Sequence, residues 1–193
     1  MTQDWYWVRH GPTHERHMTG WRDVGVDLSD HATIARLDAM LPMDAHVVSS
    51  DLRRAVDTAT AIGGTRRRLP HEFGLREFDF GDWDGKPFDE IAKTHPQLSR
   101  QFWERPGDIC APGGESWNMV SNRAQQVIDR LYGTVPAIIA VAHMGLILTQ
   151  VQRATGQTPY QTLAQRIDNF SVTHIQVRAQ DAVLKSVNVT FGS

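Results

Sequence analysis

Short apolar runs rich in branched and aromatic residues recur at residues 5–8, 46–49, 137–142, 171–177 and 183–189. Runs of that length predict strands rather than helices. Only residues 178–182 separate the last two, which predicts a hairpin. Between the runs the period changes. Leu52, Ala55, Val56, Ala59 and Ile62 fall on one helical face, and Trp117, Val120, Ala124, Val127, Ile128 and Leu131 do the same over a longer stretch. Strands alternating with helices predict an α/β fold, a three-layer sandwich whose mostly parallel central sheet is flanked by helices. Glycine and proline gather at 80–87 and 106–114, where loops are expected. Residues 18–23 read as a mobile loop over the ligand-binding end of the sheet.

The chain has 193 residues, 40% of them hydrophobic and 22% charged, which suits a single domain over 1–193 with a substantial core. A formal charge of −2 supplies no broad basic field, so a nucleic-acid partner is not expected. Cys110 is the lone cysteine, which excludes an internal disulfide and fits a reducing, cytoplasmic setting. No run is apolar enough for a membrane span or a signal segment, so no membrane association is expected.

Candidate chemistry falls at strand ends. Arg9-His10-Gly11 follows the first strand, Ser50-Asp51-Leu52-Arg53-Arg54-Ala55 follows the second and opens a helix, and His143 follows the 137–142 run. Open α/β sheets bind ligands where the carboxyl ends of parallel strands meet helix N-termini. Arginine offers a fixed fork of donors to phosphoryl oxygens, histidine a nitrogen nucleophile near neutral pH, and glycine a close backbone approach. Arg53 and Arg54 are neighbours on a helix and point about 100° apart, so one of the two reaches the crevice. Histidines 10, 14 and 17 raise the alternative of a metal site, but the segment lacks a helical period and no cysteine or carboxylate completes a ligand set.

These motifs, with Glu77 ahead of Phe80-Gly81-Asp82-Trp83-Asp84-Gly85 and with Gly113-Gly114-Glu115-Ser116, resemble the histidine phosphatase superfamily in its phosphoglycerate-mutase-like branch. The resemblance covers nearly the whole chain. It implies that His10 is the nucleophile that becomes phosphorylated, that Arg9, Arg54 and His143 surround the phosphoryl group, and that Glu77 is the proton donor, with Asp79, Asp82 and Asp84 as local rivals. It implies neither a metal nor another cofactor, and a small phosphorylated metabolite as partner. Arg53 is then a surface cation. The Gly113–Ser116 stretch reads better as a loop whose Ser116 caps the following helix than as catalytic.

Three positions depart from the family pattern. Pro12 and Arg16 stand where acidic and asparagine residues are usual, and Met144 stands where glycine is common. Arg16 would hold phosphate, hold a second anionic group of the substrate, or face solvent. Gly20, Trp21, Arg22, Phe88, Trp103 and Met144 are candidates for contact with the leaving group. The short run from Lys86 to Pro112 lacks the long insertion of typical mutases and favours a phosphatase, although Thr19-Gly20-Trp21 looks mutase-like. A mutase, or a catalytically weak phosphate-binding or docking module on the same fold, are the alternatives.

Overall fold

The computed structural model describes residues 1–192. Five strands form one sheet in the order β2-β3-β1-β4-β5: β1 is Thr2–Arg9, β2 His46–Ser49, β3 Ala137–Ala142, β4 Val172–Arg178 and β5 Ala182–Val189. β3 pairs in parallel with both β2 and β1, whereas β4 runs antiparallel to β1 and to β5. The sheet is therefore mixed. Its parallel half carries all three strand-end motifs, and the expected hairpin supplies the antiparallel half.

β1 starts three residues earlier than its apolar run. Gln3 is fully buried there because its amide donates to Leu131 O at 3.0 Å and Val135 O at 2.8 Å, while its oxygen accepts from the Trp5 indole at 2.8 Å. A polar residue with every group satisfied costs the strand little.

The pleat sends alternate side chains into two cores. Trp5, Trp7, Ile138 and Ala140 face the cluster closed by α5 (Trp117–Leu131) and α6 (Met144–Thr155). Val8, Val47, Ile139 and Val141 face the cluster closed by α1 (His31–Met40) and α2 (Arg53–Ala61). Helices on both faces make the expected three layers. The predicted faces of α2 and α5 turn inward, with Val56 and Leu131 half-buried at their edges, and Ser116 caps α5 by accepting from Met119 N at 3.3 Å. α3 (Phe88–Thr94), α4 (Pro96–Glu104) and α7 (Pro159–Thr162) complete the set, and 80–87 contains one 3₁₀ turn at Gly81–Trp83. No helix among the described residues is long and apolar enough to cross a membrane.

Register places the site. β1 and β3 pair Arg9 with Ala142, so the next residue of each strand, His10 and His143, leaves the sheet at the same level. Ser49 of β2 pairs with Val141, so the Ser50–Arg54 turn opens beside them.

Candidate active site

His10 and His143 face each other with ring centroids 5.0 Å apart and planes tilted by 58°. The backbone of His10 is held on three sides: its N–H donates to Ala142 O at 3.1 Å, Asn169 Nδ2 donates to its carbonyl at 2.8 Å, and the following Gly11 N donates to Thr58 Oγ1 at 3.0 Å. Gly11 has no room for a side chain, since a Cβ would sit 2.6 Å from Phe170 Cζ. The His10 ring lies 2.7 Å from Gly11 O through Nδ1. A carbonyl can only accept, so Nδ1 carries the proton and Nε2 keeps its lone pair.

His143 is fully buried, and neither of its ring nitrogens has a partner. Buried polar atoms are nearly always satisfied, so a whole imidazole without partners marks a place built for something that is bound there. The Nε–H of Arg9 is likewise unpartnered, while its Nη1 donates to Ile167 O at 2.6 Å. Arg54 is buried and donates to Gly20 O at 2.7 Å and Arg22 O at 3.0 Å, which anchors its guanidinium beside the two rings.

The electrostatics follow from this crowding. Burial first, then the nearby Arg54 and Arg9 charges, hold the His10 pKa down at about 3 against the hydrogen bond to Gly11 that opposes them. Burial, Arg54 and His10 likewise hold His143 well below the ordinary imidazole value. Burial also lowers both arginines from their usual value, with Glu77 opposing, although a guanidinium stays charged throughout. At neutral pH the pocket thus presents two fixed cations and two neutral imidazoles.

Glu77 reaches the same place from the segment after a 3₁₀ turn at Phe73–Leu75. Its Oε1 accepts from Phe78 N and Leu146 N, each at 3.1 Å, and its Oε2 from Gly145 N at 3.1 Å. The carboxylate thereby caps the N-terminus of α6, directly after His143, where partial positive charge favours it. Gly145 is obligatory at this joint, because a Cβ would lie 2.6 Å from Glu77 Oε1. Asp79, Asp82 and Asp84 point elsewhere in function: Asp79 closes a turn onto Gly81 N, Asp84 holds Gly20 N and Arg22 N, and none of the three lines the cavity.

Two features depart from the sequence reading. Residues 18–23 are tied down instead of mobile. Met18 is buried and exchanges backbone hydrogen bonds with Gly85 and Lys86, while Asp84 and Arg54 hold Gly20 and Arg22. Gly20, Trp21 and Arg22 do not line the cavity; the Trp21 indole donates to Glu77 O at 2.8 Å, and its ring rests against Phe73 and Arg76. They form the backrest of Arg54 and Glu77. Arg16, Phe88, Trp103 and Met144 do line it, together with His10, Arg9 and Glu77. Of the histidines weighed for a metal, His14 instead pairs with Asp27 at 2.8 Å, and no three potential ligands converge among the described residues.

Sequence reasoning also missed the support behind Glu77. Glu115 and Arg123 form a two-pronged ion pair at 2.8 Å on both prongs, and Arg123 further donates to the carbonyls of Gly74, Arg76 and Glu77 at 3.0, 2.7 and 2.7 Å. Glu115 takes Asp79 N at 2.9 Å. Arg123 lies on the flank of the apolar stripe, between Val120 and Val127, and its charge makes it resemble a solvated cation in sequence; the Gly-Gly-Glu-Ser motif was the available signal. Arg53 faces solvent and pairs with Asp57, as its position implied.

The family model of the histidine phosphatase superfamily (branch 1) matches residues 5–190. The chain belongs to that superfamily. It is 31% identical to phosphoglycerate mutase-like protein 4 of Arabidopsis thaliana over 86% of this chain and 75% of that one. It is also 31% identical to glucosyl-3-phosphoglycerate phosphatase of Mycolicibacterium vanbaalenii over 72% of this chain and 68% of that one. Other relatives are longer, and the chain spans only 29% of some that it matches. Among solved structures, Bacillus stearothermophilus YhfR superimposes with a TM-score of 0.84 at 26% identity, covering 98% of each chain. The α/β fold with a five-stranded mixed sheet flanked by helices is that of the superfamily.

Proposed function

We propose that residues 1–193 act as one catalytic domain, a metal-independent phosphomonoesterase working through a phosphohistidine on His10. The observation that carries this reading is the pair of facing imidazoles, one with its Nε2 lone pair free and the other with both nitrogens unpartnered, beside two anchored guanidinia. A phosphate monoester seated there meets Arg9, Arg54 and His143 on its phosphoryl oxygens, which stabilises the charge spread over them in the transition state. His10 Nε2 attacks phosphorus and the P–O bond to the alcohol breaks, while the proton carried in by a monoanionic ester passes by way of the Glu77 carboxylate to the departing oxygen. Water then attacks phosphohistidine, Glu77 takes a proton from it, and phosphate and free His10 are regenerated. Two arginine charges and an N–H donor of neutral His143 do the electrostatic work that a metal does elsewhere, so no step needs one.

Arg16 stands exposed on the cavity wall and is assigned to anion capture. A small phosphorylated metabolite is the substrate. The names of the relatives, a phosphatase of a sugar-acid phosphate among them, support that class, and the short middle segment supports hydrolysis over mutase chemistry. The lone Cys110 fits a reducing cytoplasm.

p-Nitrophenyl phosphate in EDTA tests the reading. Turnover is expected undiminished by the chelator, and a sugar-acid monophosphate should release free phosphate rather than an isomer. Burial and the two guanidinia keep His10 neutral until the pH falls through about 3. After correction for substrate ionisation, kcat/KM should therefore show no loss centred on the ordinary imidazole value of 6.5. Chelator-sensitive activity, or accumulation of the isomer, would overturn it.

The brace behind Glu77 gives a further expectation. Arg123→Lys keeps the charge but loses the fork that grips Glu115 and three carbonyls at once. A displaced Glu77 should lower kcat by about 10- to 100-fold while KM moves little. Equal kcat in the variant, measured with an alkyl monoester, would remove Arg123 from that role.

A further inference from the structure

The cavity that contains His10 and Glu77 has a volume of about 280 Å³ and two unlike walls. One is polar and comes from the segment after His10, with Thr13, Glu15, Arg16, His17 and Thr19. The other is made by Phe78, Phe80, Phe102, Trp103, Phe88 and Met144, backed by further aliphatic residues and Trp117, and carries no carboxylate, amide or hydroxyl side chain. The rings of Phe78, Phe80, Phe102 and Trp103 form one continuous surface. Phe78 stacks on Phe80 at 5.8 Å, both meet Phe102 edge-on at 6.4 and 6.3 Å, and Phe102 meets Trp103 edge-on at 4.9 Å.

The outer members are exposed: Phe88 by 56%, Met144 by 43% and Trp103 by 36%. They come from α3, α4 and the start of α6, yet converge on one mouth. Large apolar side chains left open to water in a contiguous group mark a binding surface. Here the surface is continuous with the phosphoryl centre, so its occupant is attached to the phosphate.

The geometry points to a phosphate monoester whose alcohol portion is an apolar body, aromatic or alkyl, as the substrate class of this site. The inference rests on the phosphatase reading above and adds what stands beyond the bridging oxygen. A polyhydroxylated alcohol can meet the polar wall on one side only, and its hydroxyls turned to the ring wall would lose water with no carboxylate, amide or hydroxyl side chain to replace it, which is unfavourable. An alkyl or aryl group gains from each carbon removed from water. A small ligand fills a site of this size, with the phosphoryl group at the His10 end.

Straight-chain alkyl phosphates from ethyl to hexyl test this, because their leaving groups differ little in acidity and differ mainly in apolar area. kcat/KM is expected to rise about three- to four-fold per added methylene, and hexyl phosphate should exceed glycerol and glucose phosphates by a wide margin. In the double variant Phe88→Ser, Trp103→Ser, both sites being exposed, the rise per methylene should flatten, and this slope is the readout whatever the absolute rate. A flat series in the natural chain, or a preference for glucose phosphate over hexyl phosphate, would overturn the proposal while leaving the phosphatase reading intact. Failure to hydrolyse any monoester, p-nitrophenyl phosphate included, would instead remove the reading on which it rests.

Discussion

Replacing His10 with alanine is expected to lower phosphomonoester turnover by about 10⁴-fold or more, because the nucleophile and its covalent intermediate disappear together. The remaining site keeps Arg9, Arg54 and His143, so inorganic phosphate should still bind and raise the melting temperature of the variant. That retained binding separates lost chemistry from lost folding. In the natural chain, mixing with phosphorus-labelled substrate and quenching within one turnover should leave label on the peptide containing residue 10, stable in base and labile in acid as a phosphoramidate is. A His10→Ala chain within ten-fold of natural activity would end the covalent route.

The second large effect belongs to Glu77. Glu77→Gln keeps the size of the side chain and removes the transferable proton, and general acid catalysis of this kind is worth about 10²- to 10⁴-fold. The loss should depend on the leaving group. An alkoxide departs poorly without a proton, whereas p-nitrophenolate leaves readily, so the alkyl monoester should suffer far more than the nitrophenyl one. The amide cannot satisfy every donor that Glu77 now satisfies: one of its ends must face Leu146 N and Phe78 N, or Gly145 N, with a donor of its own. A moderate fall in melting temperature, on the order of 1–3 kcal/mol of stability, should accompany the change. The ratio of the two substrates is therefore the decisive quantity. Equal losses on both would make Glu77 a structural cap of α6 and nothing more.

The sequence made the site more legible than the fold around it. β1 and β3 announce themselves because buried strands need unbroken apolar runs, β4 because Val172, Ile175 and Val177 recur among polar residues over strand length, and α2 and α5 because each hides one face only. α6 was not singled out. Its first residues are apolar on nearly every side, with Leu146, Ile147, Leu148 and Val151 all buried, and they follow the equally apolar β3 after a single polar residue, so no change of period is visible. The orientation of β4 against β1 depends on tertiary pairing, which no local pattern encodes.

Among the site residues, Arg9, His10 and Glu77 line one cavity and His143 faces the His10 ring, because strand register sets where the two histidines emerge. The 18–23 loop misled for a physical reason. Its glycine and polar residues have the composition of a free segment, but the N–H and carbonyl groups of Gly20 and Arg22 are engaged by side chains far away in sequence, namely Asp84 and Arg54. Arg123 was hidden in the same way: its carbonyl partners lie 46 to 49 positions upstream, where no helical spacing points.

At the start of α6, two adjacent residues live under opposite rules. Gly145 admits no other side chain without pushing Glu77 and Phe78 aside, while Met144 projects into water at the mouth. Inheritance can therefore vary one and must preserve the other. Descendants of this chain that exchange Met144 or Phe88 would acquire new tastes in substrate at little risk to their stability, and the reaction itself would pass down unaltered.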